Sequence, residues 1–244
     1  MMPHVKICCI GSIAEAQLAI AEGAAAVGLV SQMPSGPGVI GDEQIAAITR
    51  AVAGIVDTFL LTSRTESGPL IAQVRESGAN TIQLVDAVAD RVYHDLKRNL
   101  PKIRIVQVIH VTDGTAVDEA RRIAEQVDAL LLDSGNPALA VKELGGTGRT
   151  HDWDYSRRIV DSVKCPVFLA GGLNPGNIQE AVRKVRPHGV DLCSGVRTGG
   201  DLDPVKLASF FAAVRSMASE PLPPAGDSRF QPGKPGIEQD GQRR

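Results

Sequence analysis

The sequence predicts an α/β protein of the (β/α)8-barrel class, and three observations carry this prediction. Short apolar runs alternate with segments of helical periodicity eight times along the chain. Strict alternation is typical of a parallel sheet, and eight units favour closure into a barrel. The length of 244 residues suits one barrel domain, and with only 3% aromatic residues the core must consist of Val, Ile, Leu and Ala, as buried parallel strands prefer.

The individual elements follow from apolar spacing and from helix-ending residues. The predicted strands are residues 5–10, 25–30, 58–62, 81–85, 103–111, 129–134, 166–170 and 190–194. The predicted helices are residues 13–22, 42–53, 66–76, 89–99, 116–126, 154–163, 175–185 and 203–217. Gly23 and Gly78 end two of these helices, as C-cap glycines do. Asn174 and Pro175 are expected to begin the seventh helix, as its N-cap and first turn.

Two segments fall outside this alternation. The connection at 135–150 contains the sequence GGTG at 145–148, and a loop of this length is usually functional. Residues 219–244 are rich in Pro, Gly, Asp, Gln and Arg and poor in apolar residues, so they cannot offset the entropy of becoming ordered. We therefore predict a barrel at 1–218 and a disordered tail at 219–244.

Composition and charge exclude several functions. A formal net charge of −2 provides no basic surface for nucleic acid, and no apolar run reaches the roughly 18 residues that cross a bilayer. The N-terminus leads directly into a strand without a signal-peptide pattern. The four cysteines, Cys8, Cys9, Cys165 and Cys193, lack CxxC spacing. They predict a cytoplasmic protein with reduced thiols, and a zinc or other metal site is not expected.

Two glycine turns near the end of the chain predict a phosphate site. Gly171 and Gly172 follow the seventh strand, and Ser194 and Gly195 follow the eighth. Glycine lets backbone N–H groups approach a ligand closely, and the loops after these two strands commonly hold phosphate in (β/α)8 barrels. The alternative is a pair of ordinary strand-to-helix turns, but the presence of two favours phosphate.

Candidate catalytic side chains stand at the carboxyl ends of strands, where barrels place their active sites. Asp133 follows three leucines, so burial is expected to raise its pKa and suit it to acid catalysis, unless it simply caps the loop. Cys8 and Cys9 face opposite ways in a strand, so only one can point into the barrel mouth. Lys6 lies on the same face as Cys8 and is expected either to favour the Cys8 thiolate and contact the substrate, or to form a salt bridge within the barrel. The alternative for Cys8 is a small buried hydrophobe. The remaining polar candidates at strand ends are Thr62, Ser63, Arg64, Gln83, Asp86, His110, Thr112, Ser134 and Arg197.

With these residues in place, the chain resembles the phosphoribosylanthranilate isomerase family. The resemblance rests on VKIC at 5–8, GAAAVGLV at 23–30 and LLDS at 131–134. It continues through GGTG at 145–148 with DW at 152–153, AGGLNP at 170–175 and VDLCSGV at 190–196. It implies a cofactor-free Amadori rearrangement in tryptophan biosynthesis. In that reaction Asp133 would act as general acid on the ring oxygen, Cys8 as general base at C2′, and residues 171, 172, 174, 194 and 195 would hold the phosphate.

The chain also departs from the family pattern. Cys9 replaces the family's glycine after the cysteine, and the loop at 34–40 lacks the family's arginine. The strand-four sequence ends in Val85-Asp86 instead of a histidine–glycine pair. Arg64 or Arg197 is expected to replace the missing arginine in binding the substrate's anion. Three functions therefore stay open: this isomerase, an isomerase of another phosphosugar, and a non-catalytic phosphometabolite-binding barrel. Whether the protein forms a homo-oligomer also stays open.

Overall fold

Eight parallel strands close into a barrel in chain order in the computed structural model, which describes residues 2–135, 148 and 150–217. The strands are β1 (His4–Ile7), β2 (Ala26–Val30), β3 (Asp57–Thr62), β4 (Thr81–Leu84), β5 (Arg104–His110), β6 (Ala129–Asp133), β7 (Val167–Leu169) and β8 (Gly189–Leu192). The helices are α1 (Ile13–Glu22), α2 (Asp42–Ala51), α3 (Ser67–Ser77), α4 (Asp90–Asn99), α5 (Thr115–Ala124), α6 (Trp153–Ser162), α7 (Ile178–Val185) and α8 (Pro204–Ser216). The predicted (β/α)8 class is confirmed. The proposed tail at 219–244 and most of the GGTG segment lie outside the described residues.

Side chains alternate between two apolar layers, as the two-residue period of a strand requires. One set points outward and packs beneath the helices, as Ile105, Ile109 and Leu132 do. The other set fills the inside of the barrel, where Phe59 and Phe168 meet edge to face with their ring centroids 5.9 Å apart. Because each strand contributes to both layers, the polar residues at the inward positions are directed toward the barrel mouth.

The chain leaves the barrel after β8 through three short elements that the sequence analysis did not include. A 3-10 helix at Ser194–Val196 follows, and then a short hairpin of β9 (Arg197–Thr198) and β10 (Asp201–Leu202). The helix α8 begins only after this hairpin, capped by the Asp203 carboxylate. The second glycine turn therefore leads into a single 3-10 turn and does not open an α-helix.

The start of α7 also differs from the prediction. The helix begins at Ile178, with Asn177 before it, and not at Pro175. The Asn174 side chain instead makes local hydrogen bonds to Gly172 O and from Gly176 N–H. Asparagine side chains compete in this way with helix formation, so residues 174–177 form a separate turn.

The described residues contain neither a candidate membrane-spanning helix nor a candidate metal site. None of the helices there combines the length and hydropathy that a bilayer crossing needs. No group of three His, Cys, Asp or Glu side chains there is placed to hold a metal ion.

Candidate active site

A cavity opens at the carboxyl ends of the strands. It brings together five of the residues that the sequence singled out: Cys8, Asp133, Gly171, Gly172 and Ser194 all line it. Apolar side chains from the inner layer, such as Val85 and Leu131, also line it. The predicted acid, base and phosphate turns thus share one space.

Asp133 lies at the end of β6 and is only 8% exposed. Burial raises the pKa of its carboxyl group, and the nearby Asp191 acts in the same direction. The hydrogen bond from Ser134 N–H to Oδ1, 2.7 Å long, and the charge of His110 oppose this shift. His110 is paired with Asp133 in the β5–β6 register. The net effect keeps a proton on Asp133 to higher pH than on an exposed aspartate.

Cys8 follows β1 and points into the barrel, where it meets Lys6. A Cβ atom built on Gly28 would lie 2.9 Å from Cys8 Sγ and 3.0 Å from Lys6 Nζ, so the thiol and the ammonium group share the space that this glycine leaves. Burial raises the pKa of Cys8 to about 11, although the Lys6 cation favours the thiolate. The thiol is therefore mostly protonated at neutral pH, but the adjacent Lys6 cation stabilises the thiolate when it forms.

Lys6 is completely buried and is held by a residue that the sequence analysis did not single out. Its Nζ lies 2.8 Å from Asp191 Oδ2, and β1 and β8 place the two residues opposite each other. Nζ also lies over the Phe59 ring, 5.3 Å from the centroid. Burial opposes the charged form of Lys6, but the Asp191 carboxylate and Cys8 outweigh it, so the pKa of Lys6 is raised. Lys6 does not line the cavity, and its ammonium group faces Cys8. Its contact with a substrate stays a prediction.

The two glycine turns meet at one side of the cavity. Gly171 and Gly172 adopt left-handed backbone angles, with φ of 83° and 63°, which glycine alone tolerates without strain. A Cβ atom on Gly195 would fall 2.0 Å from Leu173 O, so the second turn packs directly on the first. Within the described chain, no hydrogen bond from the backbone N–H groups of residues 171, 172, 194 and 195 is found, and three of these residues, Gly171, Gly172 and Ser194, line the cavity. The N–H groups of these three residues have no partner among the described residues.

Asn174 does not join this set. Its backbone N–H donates to Asn177 Oδ1 at 2.8 Å, and its side chain is engaged in the local turn. Asn174 does not line the cavity. Asn174 fixes the shape of the first turn, and its contact with the phosphate stays a prediction.

The two arginines expected to replace the missing loop cation do not line the cavity. Arg197 is 8% exposed and pairs with Glu15, with Nη1–Oε1 and Nη2–Oε2 distances of 2.9 and 3.1 Å. The same guanidinium donates to the backbone oxygens of Cys9 and Gly200. Arg64 is exposed just after β3. Arg197 is thus a structural clamp at the start of α1, where Glu15 lies, and its binding of substrate stays a prediction.

The cysteines also differ from the prediction. Cys9 and Cys193 form a disulfide, so the expectation of four reduced thiols is wrong for this pair. Both residues line the cavity beside Cys8. The alternation argument failed here because Cys9 has left β1 and adopts a left-handed φ of 62°. Cys9 therefore turns to the same side as Cys8.

Two polar side chains on the cavity wall carry oxygens without a partner. Among the described residues, nothing bonds Gln83 Oε1 or Asp191 Oδ1, although both side chains are more than nine-tenths buried. An unpaired buried oxygen costs free energy unless a ligand supplies a donor. The sequence signal for Asp191 was a carboxylate between Val190 and Leu192 in a buried strand, which requires a cationic partner such as Lys6.

A buried carboxylic acid and a buried thiol on one cavity at the mouth of a (β/α)8 barrel are typical of an enzyme that uses acid–base catalysis. The family model for N-(5'phosphoribosyl)anthranilate (PRA) isomerase matches residues 5–213. The N-(5'-phosphoribosyl)anthranilate isomerase of Methanocella arvoryzae is 34% identical over 195 residues, covering 80% of this chain and 89% of the relative. The chain belongs to the PRA isomerase family.

Solved structures agree with this assignment at the level of the fold. The phosphoribosyl anthranilate isomerase of Thermotoga maritima superposes with a TM-score of 0.74 at 26% identity, covering 88% of this chain and all of that one. Another isomerase structure contains reduced 1-(o-carboxyphenylamino)-1-deoxyribulose 5-phosphate. It has a TM-score of 0.71 at 24% identity and covers 88% of this chain and 100% of its own.

Proposed function

We propose that this protein isomerises N-(5'-phosphoribosyl)anthranilate to its ribulose isomer in tryptophan biosynthesis, without a cofactor. The observation that carries the proposal is that Cys8 and Asp133 line one cavity together with both glycine turns. A barrel that only binds a phosphometabolite would need neither a buried acid nor a buried thiol. Because its substrate is a phosphorylated metabolite, we expect the enzyme to work in the cytoplasm.

In this proposal Asp133 starts the reaction as the general acid. Its raised pKa keeps the proton on the carboxyl group, and Ser134 fixes one of the two oxygens by hydrogen bonding to Oδ1. The other oxygen can deliver the proton to the furanose ring oxygen. The C1′–O bond then breaks, and the nitrogen lone pair forms a protonated Schiff base at C1′.

Cys8 then acts as the general base. The Schiff base makes the C2′ proton acidic, and the Cys8 thiolate removes it to leave an enolamine that tautomerises to the aminoketone. The thiolate is a minor species because burial raises the pKa of Cys8 to about 11. Lys6 and the cationic Schiff base both favour it at the moment of transfer. The cycle closes when Cys8 loses this proton and Asp133 regains one.

The glycine turns would hold the substrate while both protons move. The backbone N–H groups of residues 171, 172 and 194 line the cavity, have no partner among the described residues and suit the phosphate oxygens; Gly195 would add a fourth. The unpaired oxygens of Asp191 and Gln83 suit donors on the sugar or on the bridging amine. These contacts fix the sugar between the acid and the base, and the positioning itself contributes to the rate.

Two substitutions with matched controls test the proposal. Asp133→Asn keeps the shape of the carboxyl group but cannot deliver its proton, and Cys8→Ser replaces the thiol with a much weaker acid. Each should lower kcat by roughly 10²–10⁴ and change KM much less. Asp154→Asn at the exposed start of α6 and Cys165→Ser, both away from the cavity, should leave kcat unchanged.

One result would overturn the assignment. In this result, purified, folded protein shows no turnover of N-(5'-phosphoribosyl)anthranilate above background and binds neither this substrate nor its reduced analogue in titration calorimetry.

A second candidate is an isomerase whose substrate carries no carboxylate on the amine side. It is favoured by one observation: none of the described residues that line the cavity is a lysine or arginine. Where the family has an arginine, Met33, Ser35 and Pro37 line the wall here. Comparing kcat/KM for phosphoribosylanthranilate and phosphoribosylaniline separates the two. A preference of tenfold or more for anthranilate, the scale of one charge-assisted hydrogen bond, supports the first candidate, and equal values support the second.

A further inference from the structure

The Cys9–Cys193 disulfide links the first and last strands of the barrel at the cavity mouth. Cys9 follows β1 and Cys193 follows β8, and 184 positions separate them in the sequence. Their Cα atoms lie 5.9 Å apart, which is typical of disulfide-linked residues. Since β1 and β8 are neighbours in the closed barrel, the bond adds a covalent link just beyond their last backbone contact.

The backbone of Cys9 is held in a conformation that cysteine rarely adopts. Its φ of 62° lies in the left-handed region, which costs free energy for a residue with a Cβ atom and suits glycine. The loop after β2 reinforces this geometry, because a Cβ on Gly38 would fall 2.5 Å from Cys9 Cβ. Such strain persists only where the surroundings over-determine it, and the cross-link is one of these constraints.

On its other side the disulfide holds the second glycine turn. Cys193 immediately precedes Ser194, whose backbone N–H has no partner in the described chain, and Gly195 packs against Leu173 of the first turn. A displacement of Cys193 would therefore disturb both phosphate turns. Cys8, by contrast, is anchored independently by its N–H to Leu192 O at 2.7 Å and by the Gly28 space that it shares with Lys6.

We propose that Cys9 and Cys193 are positioning residues whose disulfide holds the phosphate turns in their binding conformation. This inference rests on the proposed function of the same cavity. A dithiol reductant opens the bond: it gives two electrons and two protons, the protein gains two thiols, and the reductant becomes a disulfide. Reduction then loosens the turns and weakens phosphate binding while leaving the acid and the base in place. Disulfides in cytosolic proteins are usually transient in this way.

The experiment compares oxidised and dithiothreitol-reduced protein, with peptide mapping to establish the thiol state of each sample. Reduction should raise KM for the phosphorylated substrate about tenfold, equivalent to the entropy of ordering roughly one backbone residue, with kcat much less affected. The dissociation constant of inorganic phosphate, measured by calorimetry, should rise in parallel. A purely structural bond would lower stability without this division between KM and kcat.

Three variants separate the bond from its side effects. Cys193→Ser removes one sulfur, while Cys9→Gly removes the other and also relieves the left-handed strain. Both should match reduced wild-type protein in KM and should no longer respond to dithiothreitol. Cys165→Ser, away from the cavity, should behave as the wild type in both redox states.

Two results would overturn the inference. One is peptide mapping that finds Cys9 and Cys193 unlinked in air-oxidised protein. The other is equal KM and equal phosphate affinity in the two states. Absence of turnover in both states would refute the proposed reaction instead, because the phosphate titration still reports on the turns.

Discussion

Replacing Gly28 by alanine should damage the reaction from behind the active site. The added Cβ would lie 2.9 Å from Cys8 Sγ and 3.0 Å from Lys6 Nζ, whereas ordinary contacts begin at 3.4 Å. The sulfur must therefore retreat by about half an ångström. A displacement of 1 Å costs on the order of 10²-fold, so we expect kcat to fall roughly tenfold. KM should change little, because the glycine turns that we propose to hold the phosphate follow β7 and β8, whereas Gly28 lies in β2.

The same substitution should also lower the free energy of unfolding. Overpacking a buried site costs about 1–3 kcal/mol, and removing a glycine from a strand returns about 0.5–1 kcal/mol. We therefore expect a net loss of about 1–2 kcal/mol in urea denaturation. Gly68→Ala in α3 is the control, because a Cβ there has no neighbour within 4 Å, and kcat should be unchanged. Wild-type kcat in Gly28→Ala would refute the argument that Cys8 depends on this space.

Three further predictions concern charge. First, kcat/KM should fall as the pH drops below the raised pKa of Asp133, because Asp133 is then fully protonated while the fraction of Cys8 thiolate keeps decreasing. On the alkaline side kcat/KM should fall only near pH 11, because the Cys8 thiol is then fully ionised while the protonated fraction of Asp133 keeps decreasing. An alkaline limb near pH 7 would contradict the assignment of the base. Second, Arg197→Ala should lower the free energy of unfolding by about 2–4 kcal/mol in urea denaturation, against at most about 0.5 kcal/mol for Arg64→Ala. Equal losses would contradict the clamp. Third, Lys6→Met should cost about 3–5 kcal/mol by leaving the Asp191 carboxylate buried alone, and Asp191→Asn in the same chain should recover part of this. Thermal unfolding without any recovery would count against the pairing.

The fold could be predicted because its signals are local. The apolar spacing within about ten residues identifies each strand and helix, and eight such units leave few alternatives to a barrel. The errors lie at element ends, where tertiary contacts decide. The helix α7 begins after Asn177 because the Asn174 side chain forms hydrogen bonds within a local turn. The strand β1 ends earlier than predicted because the backbone of Cys9 adopts a left-handed φ.

The candidate site was only partly predictable. Asp133, Cys8 and the glycines stand at strand ends, and the barrel rule alone placed them at one mouth. The pairing of Arg197 with Glu15 and the Cys9–Cys193 bond join residues more than 180 positions apart. Such contacts depend on the exact seam of the closed barrel, which one-dimensional patterns do not contain. A lysine and an aspartate in two apolar strands were the one available hint of that seam.

The pair of Lys6 and Asp191 has a consequence for how the chain finds its register. The two residues come from the first and last strands, so their contact can form only when the barrel closes. A slip of two residues keeps Lys6 facing inward but sets it opposite Gly189 or Cys193, which leaves a buried cation and a buried carboxylate both unpaired. Each unpaired ion costs several kcal/mol, a large part of the stability of a domain. The pair therefore selects the native register, because a barrel closed two residues out of register would be less stable by several kcal/mol.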